Sequence, residues 1–121
     1  MARPPASNPW LREGEPGPRT ARHIANTMAY IWRKRFGRSV KPKAYGCLIG
    51  LVESWPDGAQ VEIFKLVLDN WPMFMTGVKL KIAAEGGQVR FLECPSITVM
   101  RRFHEVGLEM YIMQLQASSG H

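Results

Sequence analysis

Wherever apolar and polar positions show a period along this chain, it is mostly the helical one. The most strongly patterned stretch is SITVMRRFHEVGLEMYIMQLQ, residues 96–116. With about 100° of rotation per residue, a helix here confines Thr98, Arg101, Arg102, Glu105, Glu109 and Gln116 to a narrow polar strip. Ile97, Val99, Met100, Phe103, Val106, Leu108, Met110, Ile112 and Leu115 spread around the rest of the cylinder. A helix that is apolar over more than half its circumference is normally surrounded by other helices. The pattern therefore predicts a largely buried C-terminal helix around which the chain folds, with Phe103 and Leu108 among its anchors. Arg101 and Arg102 stand one turn before Glu105, at a spacing that pairs charges on the solvent side of a helix.

The preceding segments read as shorter two-faced helices. From Thr20 to Phe36, Ile24, Ala25, Met28, Ile31, Trp32 and Phe36 share one arc, and Arg22, His23, Asn26, Tyr30, Arg33 and Lys34 the other. Gly37 is the expected left-handed C-terminal residue. Pro42 suits the first position of a second helix, to about Ser54, with Tyr45, Leu48, Ile49 and Val52 inward. Gly46 and Gly50 leave a flat patch on it for another helix. Asp57 is the expected cap of a third helix to Asn70, burying Val61, Phe64, Val67, Leu68 and Trp71. From Pro72 to Ala84 two readings compete. One is a helix burying Met73, Phe74, Val78 and Ile82; the other is a short β-hairpin near residues 78–93, pairing VKLKI with VRFLE. Asn70, Trp71 and Pro72 favour the helix. The fold class is thus all-α: a compact single-domain bundle of about five helices over residues 19–117. Residues 1–18, with five prolines and two glycines, read as a flexible arm whose one anchor is Trp10 with Leu11, and residues 118–121 as a frayed tail.

Composition narrows the class. With 121 residues, 45% of them hydrophobic and 21% charged, the chain has the make-up of one ordinary globular domain rather than a disordered or fibrous one. Its apolar runs are far short of the ~20 residues that span a bilayer, and its N-terminus lacks the apolar core of a secretory leader. Cys47 and Cys94 have no paired spacing and are expected as buried free thiols, which fits a reducing cytoplasm.

Charge changes the picture most. The net charge is +6, and it is regional: no acidic residue occurs from Pro16 to Val52, where Arg19, Arg22, Arg33, Lys34, Arg35, Arg38, Lys41 and Lys43 lie. Such an excess produces a directional field that draws polyanions. In IWRKRFGRSVKPK, residues 31–43, the cations end one helix, cross a loop and begin the next, which would let them grip successive phosphates. Arg22, Arg33, Lys34, Arg35, Arg38, Lys41 and Lys43 are the candidate nucleic-acid-binding residues. The competing explanation is that cations near a helix C-terminus complement its dipole and keep the surface solvated. The second helix is too apolar and too poor in Asn, Gln and Arg to read base edges, so contact with the backbone is expected.

No nucleophile, acid or metal-ligand set has a spacing that would bring its members together, and no phosphate-loop, dinucleotide or HExxH motif occurs. His104 with Glu105 and Glu109 is the best local cluster, and it reads as structural. No catalysis, metal or cofactor is expected. In size, charge and helix content the chain is similar in outline to accessory proteins of phage and plasmid replication, and to small helical subunits that line nucleic acid in larger complexes. That likeness transfers no residues. Two functions follow: a nucleic-acid-binding accessory module, DNA or RNA, with protein partners in a larger complex and no membrane, or an assembly subunit. The second would dock through Trp10, Trp55 or Trp71 together with Met73, Met75, Met110 and Met113, thioethers being adaptable contact groups.

Overall fold

The computed structural model describes residues 18–88, 90 and 92–119. Among them every regular element is a helix: α1 (Pro18–Phe36), α2 (Pro42–Ser54), α3 (Gln60–Asp69), α4 (Trp71–Ala84), α5 (Ile97–Arg102) and α6 (His104–Ser119). The all-α bundle is as expected. Apart from Pro18, which opens α1, the proposed N-terminal arm with Trp10 lies outside the described residues. At the other end α6 is helical as far as Ser119, and residues 120 and 121 lie outside the description.

Helix boundaries follow local chemistry. α1 ends where Gly37 turns to φ 74° and donates its N–H to the Arg33 carbonyl at 2.8 Å, a left-handed C-terminal conformation that costs glycine little. Pro42 opens α2. The turn between α2 and α3 is closed by buried Gln60, whose Oε1 accepts from the Gly58 N–H at 2.9 Å while Nε2 donates to the Val52 carbonyl at 3.3 Å. Asp57 is not the cap of α3; the helix starts at Gln60 and the Asp57 carboxylate accepts from Gln60 Nε2 instead. α4 runs unbroken through the segment with two readings, so the hairpin does not form. The cause is visible in burial: a strand would carry Val78 and Leu80 on one face, whereas Val78 is fully buried with Phe74 and Met75 and Leu80 is 68% exposed.

The element at the centre is α3. Its Ile63, Phe64 and Val67 have no exposed surface, and it meets α1, α4 and α6. The C-terminal stretch departs from the expectation of one largely buried helix. Ser96 caps α5, its Oγ accepting from the Val99 N–H at 3.3 Å, and Phe103 then breaks the helix at φ −114°, ψ 41°. The break lets α5 lie on α2 while α6 packs on α3 and α4. Val106, Gly107 and Met110 are buried, Phe103 and Leu108 only half so, and Ile112, Met113 and Leu115 are exposed. With the period interrupted, the expected pairs of Arg101 and Arg102 with Glu105 do not form. Glu105 and Glu109 instead meet Lys81 of α4 at 3.8 and 3.7 Å. Arg101 lies against Gly50, where a Cβ would come within 2.1 Å of its Nε, and the Arg102 guanidinium sits 5.2 Å from the Phe103 ring centroid. Gly46, the other half of the flat patch, faces open space. Both cysteines are free thiols, but Cys47 is half-buried and Cys94, in the surface segment before α5, is exposed rather than buried.

Candidate functional site

The basic segment folds into the hairpin of α1 and α2, the most extensive helix pair of the bundle. Its core side is fixed by Ala25 and Met28 of α1 and Leu48, Leu51 and Val52 of α2, all buried. That packing leaves the flank of α1 that borders α2 open to solvent. Arg22, Asn26, Tyr30 and Arg33 recur there at intervals of three or four residues, and a helix rises about 1.5 Å per residue, so the row is about 16 Å long. Lys34 follows, its Nζ 6.0 Å from the Tyr30 ring centroid. Past Gly37 the surface continues through Arg38, Lys41 and Lys43, all exposed.

Six of the seven predicted residues, Arg22, Arg33, Lys34, Arg38, Lys41 and Lys43, stand exposed with no carboxylate partner among the described residues. Arg35 is the exception. It points to the end of α3, where its guanidinium pairs with Asp69, and so ties α1 to the core helix. Arg33, Lys34 and Arg35 lie in the last turn of α1, where positive charge complements the negative pole of the helix. No such account covers the other end of the loop. Lys41 is the N-cap of α2 without a side-chain cap bond, Lys43 lies in its first turn, and that turn has no acidic residue. Two cations there face the positive pole of the helix, which is unfavourable without an anion.

Between the helices lies an open cleft of about 330 Å³, lined by Asn26, Tyr30 and Arg33 of α1, Ser39 and Val40 of the loop, and Tyr45 of α2. The Tyr45 hydroxyl donates to Asn26 Oδ1, which leaves the Asn26 amide N–H₂ as the donor of that side chain. The charge of the corner was legible in the sequence; the cleft was not, because Tyr30 and Tyr45 come together only when α1 and α2 pack.

Elsewhere the candidates take structural roles. Trp55 and Trp71 are buried, their indole N–H groups donating at 2.9 Å to the carbonyls of His104 and Leu92. Met75 and Met110 are buried too, so of the proposed Trp and Met surface within the described residues only Met73 and Met113 are exposed. His104 is half-buried, with no hydrogen-bond partner for Nδ1 among the described residues. No group of three or more His, Cys, Asp or Glu among the described residues is placed to hold a metal ion, and no helix among them is long and apolar enough to cross a membrane. No protein-family model matches the chain, and comparison with curated proteins and with solved structures finds no match.

Proposed function

We propose that the chain is a small, non-catalytic nucleic-acid-binding module that holds a phosphate backbone at the α1–α2 corner, as an accessory subunit of a larger nucleoprotein complex. The observation that carries the reading is the placement of Lys41 and Lys43 at the positive pole of α2. Helix stability gains nothing from cations there, and solvation alone would be served equally well by carboxylates. An anion seated between Arg38 and the start of α2 would relieve the repulsion and meet free backbone N–H groups as well. Arg33 and Lys34 extend the positive surface along α1, and Arg adds forked hydrogen bonds to phosphate.

Binding to nucleic acid at several salt concentrations tests the reading. Each phosphate neutralised releases condensed counterion, so about four contacts give log K falling with log salt at a slope of about −3 to −4. Alanine at Arg33, Arg38, Lys41 or Lys43 should flatten that slope by nearly one each, with little change in sequence preference. Lys79, exposed on α4, is the control. Equal weakening by Lys79→Ala would reduce the attraction to net charge. A chain that binds nothing at moderate salt would favour the assembly reading, supported by exposed Met73 and Leu80 on α4 and by Ile112, Met113 and Leu115 on α6.

A further inference from the structure

The geometry points to a single-stranded nucleic acid as the occupant of the corner, with one unstacked base lying in the α1–α2 cleft against Tyr30; this inference rests on the phosphate-binding reading above. A duplex keeps its bases stacked and offers a protein only phosphates and groove edges, for which a convex helix or a flat basic face suffices. The surface here is concave at its centre. The cleft, about 330 Å³, is shallow and open, so it can cradle one face of a base without enclosing it, and it lies among the cations rather than apart from them.

The lining has the chemistry that a base requires. Tyr30 is 61% exposed although it stands in the middle of a folded helix, so its ring does not serve the core. Ala29 beside it contributes only a methyl group, which leaves room at the cleft floor. The Asn26 amide N–H₂ and the Ser39 hydroxyl offer donors to a base edge, while Arg33 borders the same space and can hold the flanking phosphate. An exposed aromatic ring within a row of cations is the arrangement by which sequence-tolerant single-strand binders hold successive nucleotides.

Three probes of one length separate the terms: oligothymidylate, the same backbone with abasic sites, and a duplex. The chain should bind oligothymidylate several-fold more tightly than either of the others. Stacking on an aromatic ring contributes enough that Tyr30→Ala should weaken oligothymidylate binding about five- to hundredfold, and Tyr30→Phe should not. Because Tyr30 carries no charge, the salt slope should be the same in Tyr30→Ala as in the parent chain, whereas Arg33→Ala flattens it. Equal affinity for the abasic and thymidine strands, with Tyr30→Ala silent and Arg33→Ala weakening both, would overturn the base-stacking inference and leave phosphate binding standing. Tighter binding to the duplex would overturn it also. No binding to any probe would remove both.

Discussion

The indole Nε1 of Trp55 donates a 2.9 Å hydrogen bond to the backbone carbonyl of His104, the first residue of α6. The bond fastens the turn after α2 to the point where the C-terminal helix is interrupted. Phenylalanine at position 55 keeps most of the ring and loses the donor, so Trp55→Phe should cost about 1–3 kcal/mol. Urea unfolding measures it; an unchanged midpoint would mean that the carbonyl is satisfied within α6 alone.

Two glycines should respond to alanine with opposite sign. A Cβ at Gly107 would stand 3.1 Å from both the Trp55 ring and Val67 Cγ2, and 3.4 Å from Ile63, all in the core. Overpacking there costs about 1–3 kcal/mol, more than the ~1 kcal/mol of helix propensity gained. At Gly46, inside α2 with nothing within 4 Å of the added atom, only the gain remains, about 0.5–1 kcal/mol. Thermal midpoints should fall for Gly107→Ala and rise for Gly46→Ala.

Phe64 of α3 is fully buried and Phe103, at the helix break, is not. Phe64→Ala should cost about 3–5 kcal/mol through lost transfer energy and the cavity left behind. Phe103→Ala loses only part of a side chain from the interior, about 1–2 kcal/mol. Equal losses in chemical denaturation would return the C-terminal stretch to the centre of the fold.

The Arg35–Asp69 pair is solvent-exposed on both sides, so breaking it should cost no more than about 1 kcal/mol. Its effect on binding is more informative. While Asp69 holds Arg35, Arg35→Ala should hardly alter the salt slope of nucleic-acid binding. Asp69→Ala releases a cation into the corner and should steepen the slope by up to about one. If Arg35→Ala instead flattens the slope as much as Arg38→Ala does, the pair opens when nucleic acid binds.

What the sequence determined by itself is local. The span of α2, opened by Pro42, and the glycine stop at Gly37 each depend on φ preferences within a few residues of the boundary. The charge of the corner is equally local, since no carboxylate occurs near it in the chain. Tertiary structure decided which apolar faces are covered. Residues 96–116 show nearly continuous helical periodicity, yet the helix breaks at Phe103, and the break lets α5 lie on α2 while α6 packs on α3 and α4. The same packing moved Glu105 and Glu109 from the arginines to Lys81 and placed α3 at the centre. It also took Arg35 out of the basic corner, because Asp69 lies 34 residues along the chain and comes near only when α1 packs on α3. Helix propensity and capping act over a single turn; the pairing of faces depends on contacts distant in sequence, which a linear pattern does not encode.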